Sequence, residues 1–185
     1  EKIDYEKEVI NVSPSSSYLA AIPIWEGEMI PIYFNVAREI GGFKRLIKEN
    51  IHNINILEKI RRRYSIDNNL FDKIIMYIKK EMEKENPIPT DKNIIIESLG
   101  KINVIHIHGG SRVNTTLGLL LTSILSDMFS FKIGYRSDAY RIAILSEKNI
   151  DGRKIRDILK GIEEEDFIKM FDYLRKTKTY IWRFL

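Results

Sequence analysis

The apolar positions follow a strand period towards both ends of the chain and a helix period in between. Over residues 1–12 they alternate loosely (Ile3, Tyr5, Val9, Ile10, Val12), which predicts one or two edge strands, and Ser13–Ser17 with its proline reads as a turn. Tyr18–Trp25 predicts a further strand, Glu26-Gly27-Glu28 a hairpin turn and Met29–Ile32 the returning strand. The spacing then lengthens. Val36, Ile40, Phe43, Ile47 and Ile51 share one helix face behind a cap at Asn35, with Gly41-Gly42 as a kink or a point of close contact. Asn53 caps a helix to Arg63 with Ile54, Leu57 and Ile60 inward, and Asp67 caps another with Leu70, Phe71, Ile74, Ile75, Ile78 and Met82 as its stripe. Asn86-Pro87-Ile88-Pro89 ends it, so a helical insert spans about residues 35–86.

Beyond the insert, Asn93–Glu97 and Lys101–His108 predict strands on either side of Leu99-Gly100. Val113, Leu117, Leu120, Leu121, Ile124, Leu125 and Met128 recur every three or four residues, and Leu119 fills the gap. That helix is apolar on most sides and is expected to be the most buried element. Phe131–Arg136 and Ala139–Ser146 predict two more strands with Ser137-Asp138 as a two-residue hairpin turn. Asp151 caps a helix to about Lys160, and a last helix runs from about Glu163 to Lys176. Regular strand–helix alternation is absent, so the expected class is α+β: a mixed, curled β-sheet with a central buried helix and flanking helices.

The chain of 185 residues is long enough for one substantial core, and a single domain over residues 1–185 is expected. The longest uncharged stretch, Val113–Ser126, is 14 residues, against the roughly 20 that a membrane span needs. The charged first ten residues do not form a signal peptide, and the absence of cysteine leaves no disulfide or thiol-bound zinc, which points to a cytoplasmic setting and no membrane partner.

Charge sharpens the reading through its placement. Lys and Arg exceed Asp and Glu by 30 to 26, a net +4 that permits nucleic-acid binding. Arg61-Arg62-Arg63 form a run between Lys59 and Tyr64; Lys44, Arg45 and Lys48 lie upstream; Arg175, Lys176, Lys178, Tyr180, Trp182 and Arg183 close the chain. Cations interleaved with aromatics suit a groove that tracks phosphates and stacks bases, while the same runs also read as solvated helix faces. Trp25, at a strand end beside a turn, reads as a core residue or a stacking platform. From Val104 the chain runs strand, Gly109-Gly110, helix, a corner whose first amides can hold an anion with Arg112 adding charge. It lacks the G-x-x-x-x-G-K-[ST] pattern, and a structural turn with Arg112 in a local ion pair remains open.

Little here promises catalysis. His106 and His108 alternate along a strand towards one face, but with no third ligand in register they are expected to pack as hydrogen-bonded histidines and to hold no metal. Glu26 and Glu28 sit in a hairpin and Glu163–Asp166 open a helix, where acids favour the dipole. No serine or cysteine nucleophile pattern occurs, so no catalytic residue is assigned.

Separated patterns then converge. Trp25-Glu26-Gly27-Glu28-Met29-Ile30-Pro31-Ile32, with Val36-Ala37-Arg38-Glu39-Ile40, resembles the W-x-G-E-x-x-P-[VIL] and A-R-E-[VI] stretch of the large helicase-related (Lhr) proteins, superfamily 2 DEAD/DEAH-box helicases. Val104-Ile105-His106, Gly110, Arg112-Val113-Asn114 and Leu117-Gly118 resemble their V-[IV]-H-x-x-F-G-x-[RK]-V-N-x-x-L-G signature, with Gly109 in place of Phe and His108 where a small residue or Cys is usual. Asp138-Ala139-Tyr140-Arg141-Ile142 is similar to their D-x-Y-R-[IL] strand, and Thr179–Phe184 to the start of their last helix. The resemblance runs over about residues 5–185 and corresponds to the DEAD/H-associated accessory domain.

The resemblance implies an accessory domain, excised from a larger chain, of an ATP-dependent helicase that moves 3′ to 5′ on single-stranded DNA and unwinds duplexes, including RNA–DNA hybrids. It implies a hydrolase activity and an ATP and magnesium requirement seated in missing motor domains, because this chain holds neither a Walker A lysine nor a D-E-x-H box. It implies intramolecular contacts with those motors and a winged-helix domain. The expected strand contacts are Trp25 on a base and Arg112, Arg61, Arg62, Arg63, Lys44 and Arg45 on phosphates. The alternative is a scaffold or protein-interaction domain that braces the motor without touching nucleic acid.

Overall fold

The computed structural model of the chain describes residues 2–4, 9–11 and 30–175, with side chains over 30–169. The chain divides into two compact units, 1–30 and 31–185. In the first, β1 (Lys2–Asp4) pairs antiparallel with β2 (Val9–Asn11), Ile3 opposite Ile10, as the alternation of the first residues predicts. The Tyr18–Trp25 strand, the Glu26-Gly27-Glu28 turn and Trp25 itself lie outside the described residues.

The second unit opens with the helical insert: α1 (Phe34–Glu49), α2 (Ile54–Arg63) and α3 (Asn68–Glu83). Asn53 Oδ1 accepts from the Ile56 amide at 3.2 Å and Asp67 Oδ1 from the Leu70 amide at 3.1 Å, so both predicted caps are in place. Their apolar stripes meet in one cluster of Ile47, Ile51, Leu57, Ile60, Phe71, Ile78 and Ile88. The predicted cap at Asn35 is not used: α1 starts at Phe34. The reason is distant in sequence. The Ile32 amide donates to Ser111 Oγ at 3.0 Å and its carbonyl accepts from the Ser111 amide at 2.9 Å, which fixes where the chain turns into the helix. The same two bonds occupy the backbone of Ile32, so residues 30–32 are not the predicted strand.

The strands β3 (Ile95–Leu99), β4 (Ile102–His106), β5 (Ile133–Ser137) and β6 (Arg141–Ser146) form one open sheet in the order β3-β4-β6-β5. The class is α+β as expected, but every pairing in this sheet is antiparallel where a mixed sheet was predicted. Two hairpins build it, and hairpins are antiparallel by construction. Helix α4 (Gly110–Phe129) joins them and delivers the second beside the first, with β6 against β4. The β5–β6 turn is longer than the predicted two residues: Ser137 pairs with Ile142, and Asp138 closes the loop, its amide on the Arg141 carbonyl at 2.9 Å and its carboxylate accepting from the Tyr140 amide at 2.7 Å.

One face of the sheet carries Ile105, Ile133, Ile142 and Ile144 against Leu121 and Leu125 of α4, with Ile150 and with Ile155 of α5 (Gly152–Lys160) completing the cluster. Each of these buried side chains contributes about 1.5–3 kcal/mol, so the predicted central helix is a principal source of stability. Gly118 makes the approach possible, since a Cβ there would stand 2.3 Å from the Tyr135 ring of β5. The last element is α6 (Glu164–Arg175). The opposite face of the sheet keeps Leu99, Ile102 and Leu145 exposed. No helix among the described residues is long and apolar enough to cross a membrane.

Candidate nucleic-acid interface

The glycine corner after β4 is built as a knot. β4 stops at His106, two residues short of the predicted end, because the Ile107 amide goes to the Tyr140 carbonyl at 2.9 Å and the chain turns. Gly110 takes φ +78°, a conformation L side chains resist, and a Cβ on it would stand 2.8 Å from the Ile32 carbonyl oxygen. Its amide donates to the Ala139 carbonyl at 3.0 Å, and the Ser111 amide to Ile32 at 2.9 Å. Two of the first amides of α4 are therefore spent on the protein's own carbonyls, which makes this a structural turn. Asn114, fully buried, completes the knot: its Nδ2 donates to the carbonyls of Ile107 at 3.2 Å and Asp138 at 2.8 Å. The glycines and Asn114 of the signature thus join β4, the β5–β6 loop and the entry to α1.

Beside the knot lies a cleft of about 390 Å³ between the insert and the end of the sheet, with Lys44, Glu97, His106, His108, Tyr140 and Arg141 on its walls. Glycine again permits it: a Cβ on Gly41 of α1 would meet the Asp91 amide nitrogen at 2.6 Å and His108 Cγ at 3.0 Å, so the predicted close-contact point is real and the helix runs through it unbroken. Both histidines line the same cleft, although His108 lies beyond the end of β4 and not on the strand face that alternation predicts. His106 Nε2 stands 3.1 Å from Glu97 Oε2, the expected hydrogen-bonded arrangement.

His108 departs from that expectation. It is only 5% exposed, its ring meets Tyr140 edge to face with centroids 5.7 Å apart, and neither ring nitrogen has a well-formed hydrogen-bond partner. Burial first, then the Lys44 charge, lower its pKa to about 4 against smaller upward pulls from Asp91 and the Thr90 backbone, so the ring is neutral at neutral pH. Lys44, half-buried, is in turn lowered by burial and then by the Arg141 guanidinium. Among the described residues no group of three or more potential ligands could hold a metal ion.

The predicted cations separate by what they touch. Arg45 is clamped on Asp91, Nε to Oδ1 at 2.7 Å, with Glu49 at 3.4 Å. Arg61 binds Glu58 at 2.7 Å and the Ile66 carbonyl at 2.9 Å, tying off the end of α2. Arg62 shares Glu58 at 2.8 Å from an exposed position, and Arg63 lies 3.5 Å from Glu39 with its guanidinium 5.5 Å from the Tyr64 ring centroid. Lys44 and Arg112 have no carboxylate partner among the described residues, so the local ion pair open to Arg112 from sequence does not form there. Lys44 faces the cleft, whereas Arg112 sits exposed in the first turn of α4. Sequence reasoning missed Arg141 as a member of this group. Its position opposite His106 in the β4–β6 register, on the same face, is the signal that finds it.

Comparison with known proteins follows the same lines. A family model described as DEAD/H associated matches residues 88–185. The chain is 25% identical over 175 residues to the ATP-dependent helicase Lhr-Core of Methanocaldococcus jannaschii, covering 85% of this chain and 19% of that protein. It is 28% identical over 190 residues to the protein of the same name from Sulfolobus acidocaldarius, covering 97% and 20%. Its fold is similar to that in a solved structure of Mycobacterium smegmatis helicase Lhr bound to ssDNA and AMP-PNP, with a TM-score of 0.54 at 16% identity, over 80% of this chain and 20% of that one. The chain therefore spans about a fifth of the length of these relatives.

Proposed function

The chain belongs to the DEAD/H associated family, and from that premise we propose that it is the strand-contacting accessory domain of an ATP-dependent, 3′-to-5′ DNA helicase of the Lhr type, helping to enclose the single strand during translocation. The observation that carries this reading is the pair of cations without carboxylate partners among the described residues, Lys44 in the cleft and Arg112 exposed in the first turn of α4. Unpaired cations are free to neutralise phosphates, which is where the affinity of such proteins comes from. Arg62 and Arg63 add exposed charge at the end of α2, while Arg45 and Arg61 hold the insert in shape. Trp25 supplies the base-stacking partner in this reading.

Hydrolysis of ATP with magnesium is assigned to other parts of the helicase. This chain has no phosphate-loop lysine, and its described residues offer no ligand set for the ion. Single-stranded DNA is the partner, with the displaced arm of a duplex or an RNA–DNA hybrid as its source, and the cytoplasm the setting.

The test is binding of a fluorescent oligothymidylate to the 185-residue chain at low and moderate salt, against Arg112→Gln and Trp25→Ala. Arg112→Gln is expected to weaken binding and to lower the slope of log affinity against log salt by about 0.7, the value of one single-strand phosphate contact. Trp25→Ala is expected to cost on the order of 1–3 kcal/mol with no change of slope. Unchanged affinity in both variants would sink the reading. A second reading has its own observation: the open face of the sheet exposes Leu99, Ile102 and Leu145, a surface suited to bracing another domain.

A further inference from the structure

The cleft beside the knot contains groups that the fold leaves unused. Its carboxylates are already engaged. Glu97 on β3 faces the His106 ring of β4 at 3.1 Å, and Glu81 on α3 accepts from Asn86 Nδ2 at 2.8 Å and lies 3.6 Å from Lys84 Nζ. Asp91, which acts on His108 from the segment after α3, is clamped by Arg45 at 2.7 Å, and Arg141 on β6 is held by Asp138 at 2.8 Å. Against these, the Lys44 ammonium of α1 has no carboxylate partner among the described residues, and neither nitrogen of the 95%-buried His108 ring has a well-formed partner, the Thr90 backbone acting on it only weakly. Tyr140 packs on that ring edge to face, with centroids 5.7 Å apart.

A cation drawn half out of water beside a guanidinium, and a buried imidazole with only a weak backbone contact at Thr90, share one remedy. An anion with several acceptor oxygens takes a charge-assisted bond from the ammonium and an N–H from the ring. Phosphate has that form. The cleft, at about 390 Å³, has room for such a group, and Tyr77 and Pro87 give its mouth apolar surface against which a sugar or base can lie.

We propose that Lys44 and His108, with Arg141 at the rim, form a phosphate subsite, and that the group it takes is a phosphodiester of the bound single strand. The phosphate chemistry follows from the cleft alone; its source rests on the strand-contacting reading above. Seating an anion there favours the protonated imidazole, so occupancy and proton uptake at His108 are linked.

The experiment is ring-nitrogen NMR of the histidines in the 185-residue chain, titrated with acid alone, with an oligothymidylate, with sodium phosphate, and with sodium chloride at matched ionic strength. His52, which is not among the residues lining the cleft, serves as the internal reference. The oligonucleotide is expected to move the His108 midpoint upward from about 4, where chloride leaves it unchanged. Lys44→Gln is expected to abolish that movement, to weaken oligonucleotide binding several-fold at low salt and to lower the salt slope by about 0.7. Its far-ultraviolet circular dichroism reports that it still folds, and His108→Gln gives a second reading of affinity. If neither phosphate source moves His108, the subsite is overturned. If the oligonucleotide binds and Arg112→Gln weakens it while His108 stays still, the subsite falls and the strand-contacting reading stands. If sodium phosphate alone moves His108, the subsite stands and its strand source falls.

Discussion

At the scale of single residues, glycine decides which surfaces can meet. Gly41 and Gly42 are neighbours on one helix with opposite requirements. A Cβ at Gly41 would stand 2.6 Å from the Asp91 amide nitrogen and 3.0 Å from His108 Cγ, and backbone cannot step aside as a side chain can. A Cβ at Gly42 would meet only Asp91 carboxylate atoms at 3.8 Å, an ordinary contact. Gly41→Ala is therefore expected to destabilise the fold by about 1–3 kcal/mol, the range for overpacking. Gly42→Ala should be neutral or stabilise by up to about 1 kcal/mol, since alanine loses less backbone entropy in a helix. Urea denaturation of both variants checks the contrast, and an equal response from the two would contradict the packing described here. Sequence marked the pair as a point of close contact but could not say which of the two bears it, because the partner lies some fifty residues on.

At the scale of elements, the helical insert depends on local chemistry, which is why it was legible. Asn53 and Asp67 each cap the helix that immediately follows them, and the apolar stripes behind them close into one cluster; Asp151 caps its helix outside the insert in the same way. Asn35 looked equally good and failed because Ser111, on another element, holds Ile32. The sheet was legible as strands and not as topology, since pairing is set by where α4 returns the chain. Within the insert, Glu58 bonds Arg61 and Arg62, and these hydrogen bonds, Arg61 first, lower its pKa to about 2 from the ordinary 4.5. A carboxylate with a depressed folded-state pKa contributes stability above its unfolded value and loses it as pH falls through the folded one. The stabilising effect of Glu58 over Glu58→Gln should therefore be fully present at neutral pH and fade between about 4.5 and about 2. Thermal unfolding midpoints of the two proteins across that window test it, and a constant difference down to the acid limit would refute the pairing.

At the scale of the whole molecule, charge and apolar surface divide the labour. A net charge of +4 over 185 residues gives little long-range attraction, so the proposed contact with a strand depends on a few well-placed cations. The sequence showed six cations of equal standing; the carboxylates that separate them, Glu39, Glu49, Glu58 and Asp91, are not identified as their partners by spacing or motif. The open face of the sheet points elsewhere. A sheet with one wet face normally alternates apolar inward and polar outward, yet Leu99 is 66% exposed and Leu145 38% on the uncovered side. Such side chains add little to the folding of this chain, because they leave water only when another surface covers them. Leu99→Ser and Leu145→Ser should therefore each shift the unfolding free energy by no more than about 0.5 kcal/mol, as surface substitutions do, and leave oligonucleotide affinity untouched. A loss of about 2 kcal/mol or more in urea denaturation would mean that the face is already covered within the chain, and the bracing reading would lose its surface. Retained stability with retained DNA affinity would assign the apolar face and the cationic knot to different partners, a domain on one and a strand on the other.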